Sequence, residues 1–467
     1  MSGPDDVSRR RFLKVLGGAT GALIVGMQLP SRADTPDALL GTVVLRLNPY
    51  VRIEPDGTVV IGARDPEIGQ GIRTAEARII AEELDADWPR VIVVPMDLGV
   101  EDGNGGPRWT IGHQEARAST GVPEAWNELR AVGATARSLL VRAAAQRFGV
   151  DARRLRTELG KVIAPDGRSL GYGELATAAS VLPPPDSTPP LKSPQAFRLI
   201  GQDAGDVDAR DIVTGRQLHA IDQTPGGALV AVVTRCPFPG GRLANMDAAA
   251  ARALDGVEQV LAIPRPNPSS PIGARPLAAG VAVLAADTWT ALRARDLLKI
   301  EWTRGGAVAD DRALAAQLDD RFEQPPTTGV RNDGDYDHAR KLAHRAVEAR
   351  YRIATVAHAE LEPPNCIAQV GSDHALVIAP LQNPRGALDV VQDLTNLRPS
   401  QIEIRLPRCG GGMGRTLDND HVAEAVLLAK AARKPVKLVW TRDETFANDV
   451  YRPFAVHDLV AGLDRKN

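Results

Sequence analysis

Arg408-Cys409-Gly410-Gly411-Gly412-Met413-Gly414-Arg415 puts four glycines into five positions ahead of an apolar, helix-patterned stretch. Glycine reaches φ > 0 without strain and has no Cβ, so such a run lets bare backbone approach a cofactor or a phosphate closely. Taken alone, the run also reads as a glycine-rich turn between a strand and a helix. Glu67-Ile68-Gly69-Gln70-Gly71 forms a second corner, an amide side chain between two glycines at a predicted helix start. Donor and acceptor stand there beside free backbone N–H groups, which suits a heteroatom-rich ligand; a glutamine that caps the helix fits the same spacing. Ala118-Ser119-Thr120-Gly121 precedes a long helical pattern, and its hydroxyls and N–H groups suit phosphate or serve as an ordinary N-cap. His358, Glu360 and Glu362 alternate on a candidate strand, a metal-ligand order. No second histidine stands nearby, however, and neither the His-x-x-x-His nor the facial-triad spacing occurs. Pro380-Leu381-Gln382-Asn383-Pro384 then leads to the glycine cluster, and the chain has no Gly-x-Ser-x-Gly elbow and no Walker sequence.

These groups need elements to position them. Val51-Arg52-Ile53 and Thr58-Val59-Val60-Ile61 flank Pro55-Asp56-Gly57 as a hairpin. Helical periodicity runs from about Thr74 to Leu84, and again through Val122, Trp126, Leu129, Val132, Ala136, Leu139 and Ala143, with a short strand from Val91 to Met96 between them. Leu182 to Pro194 holds six prolines in thirteen residues and predicts a linker. From about 205 to 305, strand-like runs (Leu229 to Thr234, Gly280 to Ala285) alternate with helical ones (Asp247 to Leu254, Thr288 to Leu298), predicting a compact α+β domain. A polar stretch over about 304 to 340 leads into a third region from near Tyr351 onward.

The 467 residues allow two or three cores, and a net charge of −2 without a dense basic stripe beyond residue 14 argues against nucleic acid as a partner. Cys236, Cys366 and Cys409 lie far apart, so they cannot hold an iron–sulfur cluster by themselves; they read as free buried thiols, or as one disulfide plus a free thiol in an oxidising compartment. Ser8-Arg9-Arg10-Arg11-Phe12-Leu13-Lys14 fits the twin-arginine export pattern, followed by a glycine-rich apolar run to Leu29 and a small-x-small site at Ser31-Arg32-Ala33. That run is too short and too weakly apolar to span a bilayer.

The order of motifs resembles the molybdopterin-binding large subunit of the xanthine dehydrogenase and aldehyde oxidase superfamily, most closely its isoquinoline 1-oxidoreductase beta-subunit type. The resemblance runs over nearly the whole chain. It is carried by the twin-arginine start, Glu67 to Gly71, Trp126-Asn127-Glu128-Leu129-Arg130, Leu199-Ile200-Gly201, His358-Ala359-Glu360-Leu361-Glu362-Pro363, Gln382-Asn383-Pro384, the glycine cluster, and Val439 to Glu444 before Tyr451-Arg452-Pro453. It implies an α+β, multi-domain molybdenum hydroxylase large-subunit fold. Residues 1–33 would be the signal peptide, 34–181 a permuted molybdopterin-binding segment, 182–198 the linker, 199–305 a hammerhead-like domain, 306–345 a connection and 346–467 a partial molybdopterin-binding domain.

The implied chemistry is oxidative hydroxylation of an N-heteroaromatic or an aldehyde, with water as the oxygen source. The implied cofactor is molybdenum–molybdopterin in the cytosine dinucleotide form. Electrons would leave to a small [2Fe-2S] partner subunit or a cytochrome c, in the periplasm, with membrane association only through partners. By the same resemblance, Gln382 matches the glutamine on the apical oxo ligand, Met413 and Gly414 the pair beside the metal centre, and Gln70 the pterin-contacting glutamine. Ser119 and Thr120 match part of the phosphate loop, and Gly69, Gly71, Gly411, Gly412 and Arg415 complete the expected cofactor-binding set, with no direct protein ligand to the metal.

Met413 stands where the family usually has Phe, and Gly121 where it has a second hydroxyl. The late Gly-x-Gly-Glu element with the catalytic glutamate does not occur before Asn467, so no catalytic base is named. A chain ending within its domain is expected to leave apolar strand surface such as Val436 to Trp440 poorly covered. The second reading is an inactive, cofactor-free chain or a scaffold for an iron–sulfur subunit.

Overall fold

The computed structural model describes residues 14–17 and 23–26 as backbone, and 50–104, 106–264, 277–306 and 310–466 in full. Val51-Arg52-Ile53, alternating, and the wholly buried run 59–63 form the predicted hairpin, Val51–Ile53 against Val59–Ala63. Its turn closes through the Glu54 N–H donating to Thr58 O, with Gly57 supplying φ +89°. Helix Ile72–Leu84 then carries the chain over the sheet to Val91–Pro95, which pairs parallel to Val59–Ala63. Helix Gly121–Phe148 lies against Ile72–Leu84 so closely that a Cβ on Gly133 would stand 2.4 Å from Ile80 O. Tyr50, Ile53, Ile61, Ile80, Leu84, Leu129, Leu139, Tyr172 and Leu175 fill this first core.

Two strands, Lys14–Gly17 and Leu23–Gly26, extend the same sheet, the second pairing with Val51–Ile53. They lie inside the segment read as an export address, where the sequence pattern suggested no strand. The remaining export signature, residues 8–13 and 31–33, falls outside the described residues.

The proline-rich segment contains neither helix nor strand before residue 194, but it is no free tether. Arg130, Arg137 and Arg142, on helix Gly121–Phe148, donate to Lys192 O (2.5 Å), Pro190 O (3.1 Å) and Pro183 O (2.7 Å). Proline keeps its carbonyl while lacking an N–H, so the prolines can offer only acceptors, and Lys192 supplies the donors, its N–H to Glu83 and its Nζ to Glu82 (2.8 Å) and Asp85 (2.6 Å).

A seven-stranded mixed sheet dominates the rest of the molecule. Its order is Val257–Ile263, Gly280–Ala285, Leu229–Arg235, Val436–Val439, Asn365–Val370, Ala375–Ile378, Ile402–Arg405. Residues 199–305, expected as a domain by themselves, therefore share a sheet with 346–467; the parallel pairing of Leu229 with Val436 is the seam. Val436 to Trp440 was expected to be poorly covered, and the structure corrects this. Val436 and Leu438 are fully buried at the centre of the sheet and Trp440 is 3% exposed. A two-stranded ribbon, Arg345–Ile353 with Ala455–Leu463, instead exposes apolar side chains, among them Val347, Tyr351 and Leu459. The predicted helix over 247–254 is a single turn, Ala249–Arg252. All three cysteines are buried and free.

Candidate functional site

Three loops meet where the sequence placed its glycine-rich corners. The Cys409 N–H donates to Glu67 O (3.0 Å), joining the first loop to the glycine cluster. Ala116 N–H donates to Gln382 O (2.9 Å), and Gln382 Nε2 returns a bond to Ala116 O (2.6 Å). Gln382 Oε1 accepts from Gly414 N–H (2.9 Å) and from Thr416 Oγ1 (3.1 Å). One buried amide thus links the loop before helix Gly121–Phe148 to the glycine cluster.

The glycines of the cluster have different reasons to be glycine. A Cβ on Gly412 would stand 2.4 Å from Gln382 Oε1, and one on Gly410 would stand 2.5 Å from Glu362 Cβ. Gly411 and Gly414 have φ +103° and +101°, while Met413 between them adopts φ +48° and exposes its thioether. Gly121 also has a packing reason, because a Cβ there would approach Asp65 Oδ2 to 2.7 Å. That close approach accounts for glycine where a hydroxyl residue was the family expectation.

In the Glu67 loop the helix cap is Glu67 and not Gln70. Glu67 Oε1 accepts from Gly69 N–H (2.8 Å) and Gly71 N–H (3.1 Å), and Oε2 accepts from Arg73 N–H (3.1 Å). Gln70 folds back onto its own loop, donating to Pro66 O and accepting from Ile68 N–H. Gly69 and Gly71, both at positive φ, have open space where a Cβ would be. At the start of helix Gly121–Phe148, Thr120 makes no side-chain cap bond, and Ala118 and Ser119 both adopt positive φ, 47° and 58°. The first N–H groups of that helix are therefore uncapped by any side chain, and Ser119 is exposed.

Arg415 departs from its expected place among the cofactor contacts. It is fully buried, forks onto Asp420 (3.1 and 2.8 Å), pairs through Nε with Asp449 (3.1 Å), and lies 5.1 Å from the Trp440 ring centroid. Burial works against ionisation of Asp420, yet the Arg415 guanidinium holds it well below the usual carboxylate range.

His358, Glu360 and Glu362 do not alternate on a strand; they lie on an irregular loop with Ala359 at φ +52°. Glu362 accepts from Gly410 N–H (2.7 Å), Ile221 N–H (3.1 Å) and Asn365 Nδ2 (3.0 Å). Glu360 is fully buried and neither carboxyl oxygen has a hydrogen-bond partner. Burial raises its pKa, with Arg415 opposing and Asp449 adding to the rise. Burial and the Glu362 charge also push the Cys409 thiol up to about 12. Among the described residues, no group of three His, Cys, Asp or Glu is arranged to hold a metal, and no helix is long and apolar enough to cross a membrane.

Sequence reasoning missed Asp449, Glu67 as the cap, and the Asp420 partner of Arg415. Glu67 and Asp420 were visible as acids at predicted helix starts, where carboxylates cap and complement the dipole. Asp449 follows a short helix and has no spacing signal at all.

Two molybdopterin cofactor-binding domain families match the chain, over residues 24–233 and 322–467. The chain is 29% identical to the beta chain of isoquinoline 1-oxidoreductase from Brevundimonas diminuta, over 96% of this chain and 61% of that protein. It is 28% identical to a membrane-bound aldehyde dehydrogenase of Gluconacetobacter polyoxogenes, named for pyrroloquinoline quinone, over 98% of this chain and 58% of that protein. A nicotinate dehydrogenase component of Pseudomonas putida is 29% identical over 91% of this chain and 35% of its own length. The chain thus spans less than two thirds of the length of each of these relatives.

Proposed function

The chain belongs to the molybdopterin cofactor-binding proteins, and from that membership we propose that it is the cofactor-binding part of a molybdenum hydroxylase. The proposed reaction is hydroxylation of an N-heteroaromatic or aldehyde carbon with oxygen from water. Electrons pass to a separate iron–sulfur subunit or cytochrome, the protein is exported by the twin-arginine route, and the pterin is the cytosine dinucleotide.

The residues present fit such a group. Gly69 and Gly71 leave open space where a side chain would otherwise stand, and helix Gly121–Phe148 starts without a side-chain cap. Bare backbone suits a broad pterin, and uncapped N–H groups at a helix start suit its phosphates. When bound, the cofactor would supply the two-electron oxidation and the activated oxygen. The chain's own residues orient and exclude. Gln382 has one Nε2 hydrogen committed to Ala116 O and its Oε1 held by Gly414 and Thr416, so the second Nε2 hydrogen is the one left for a ligand. Gly411 to Gly414 present main chain to that ligand, while Met413 forms a flexible, exposed wall.

The observation that carries this reading is the reciprocal Ala116–Gln382 bonding, which brings a loop of one matched domain onto the glycine cluster of the other. The test is metal and pterin analysis of the full-length protein purified from a host that makes the cofactor. About one molybdenum and one pterin per chain supports it. Pyrroloquinoline quinone in place of molybdenum, or no cofactor at all, sinks it, and the latter outcome favours the scaffold reading.

A further inference from the structure

His358 stands over the glycine cluster with one ring nitrogen held and the other open. A Cβ built on Gly414 would lie 3.3 Å from His358 Nε2. On the far side of the ring, Nδ1 lies 3.1 and 3.2 Å from the two oxygens of Asp449, which also accepts the His358 main-chain N–H (2.5 Å). Asp449 is itself fixed. Its side chain is fully buried, accepts the Val450 N–H (2.7 Å) and pairs with Arg415 Nε (3.1 Å). A carboxylate only accepts, so the hydrogen of the neutral ring is at Nδ1 and Nε2 carries the lone pair.

We propose that His358 is a ligand-orienting residue: its Nε2 accepts a hydrogen bond from an N–H or O–H group seated on Gly411 to Gly414, and Asp449 is its positioning residue. The inference rests on the functional reading above, because the donor belongs either to the cofactor or to a substrate-derived molecule. An N-heteroaromatic hydroxylated beside its nitrogen becomes a lactam, whose ring N–H is a donor of this kind. Two residues along, the Glu360 carboxyl is buried and has no hydrogen-bond partner.

The experiment is nitrogen NMR of the full-length protein with labelled histidine. The His358 signals are assigned by their loss in His358→Gln. Three states are compared: cofactor-free, cofactor-loaded, and loaded with isoquinolin-1-one as the lactam probe. The expected result is hydrogen on Nδ1 in the free protein, and an Nε2 signal that shifts either on loading, which makes the cofactor the donor, or only with the lactam. Asp449→Asn should move the hydrogen to Nε2, because an amide can donate to Nδ1, while melting cooperatively like the parent. Lactam affinity should fall about tenfold in His358→Phe and partly recover in His358→Gln, whose amide oxygen can accept.

Hydrogen on Nε2 in the unaltered protein, or an Nε2 signal unmoved in all three states, overturns the proposal while molybdenum content leaves the functional reading standing. Failure to load molybdenum overturns both, and the metal analysis tells the two failures apart.

Discussion

Ala116 and Gln382, 266 positions apart, exchange two hydrogen bonds, Ala116 N–H to Gln382 O and Gln382 Nε2 to Ala116 O. Each residue is buried, so neither bond can be replaced by bulk water without opening the site. Through Gly414 and Thr416 the same side chain reaches the glycine cluster, so a single amide sets the spacing of two loops.

Gln382→Ala should therefore act on both stability and loading. It leaves the Ala116 carbonyl and the Gly414 N–H without their partner, costing about 1–3 kcal/mol for buried groups left unpaired. The expected outcome is a lower melting temperature together with reduced molybdenum content. Unchanged values of both would show that the bridge does not set the loop spacing.

Gly412→Ala and Gly69→Ala separate packing from backbone strain. At Gly412 the new methyl meets Gln382 Oε1 at 2.4 Å and must push the amide away. At Gly69 it meets nothing but sits at φ +98°. Overpacking costs about 1–3 kcal/mol and a left-handed alanine about 1–2 kcal/mol, so the melting temperatures should fall in both variants. Only Gly412→Ala should also disturb a labelled Gln382 side-chain signal.

Glu76 gives a pH prediction. Burial, with the Asp65 charge second, pushes its carboxyl up to about 8, while Arg64 opposes. The folded protein then holds a proton that the unfolded chain releases above the ordinary 4.5. The stabilising contribution is complete below that value and is lost as pH rises through about 8. Glu76→Gln keeps an acceptor for Arg64 N–H (2.7 Å) and Asp65 N–H (3.2 Å) and removes the proton. Its melting temperature should decline less steeply than the parent's between about pH 5 and 9. Parallel profiles would reject the assignment to Glu76.

The proline-rich segment should loosen when its arginines go. Replacing Arg130, Arg137 and Arg142 together by alanine removes three donors to the carbonyls of 183, 190 and 192, each bond worth about 0.5–1.5 kcal/mol. Limited proteolysis should then cut within 182–194 faster than in the parent. Equal rates would mean that packing of Leu182 against the first core and the bonds of Lys192 to Glu82, Glu83 and Asp85, rather than the arginines, hold the segment.

Much of the fold was legible because its signals are local. The hairpin at 55–57, the helices beginning near residues 72 and 121 and the strands at 229 and 280 follow from turn residues and periodicity. The sheet seam between Leu229 and Val436 was not legible, since no pattern in either strand names its partner. At the site, glycine spacing marked the right loops, but the direction of a side chain depends on what packs behind it. Arg415 turns inward because Asp420, Asp449 and Trp440 wait there, and Gln70 turns back because Glu67 already serves the helix start.

The position of Leu229–Arg235 between Gly280–Ala285 and Val436–Val439 has a consequence for synthesis on the ribosome. Its first edge can pair once some fifty further residues have emerged, but its second waits for a strand more than two hundred residues downstream. During translation this run, Leu-Val-Ala-Val-Val-Thr-Arg, therefore offers an open apolar edge for an extended interval. Such edges template unwanted pairing. Until residue 439 is delivered, that second edge has no partner from this sheet.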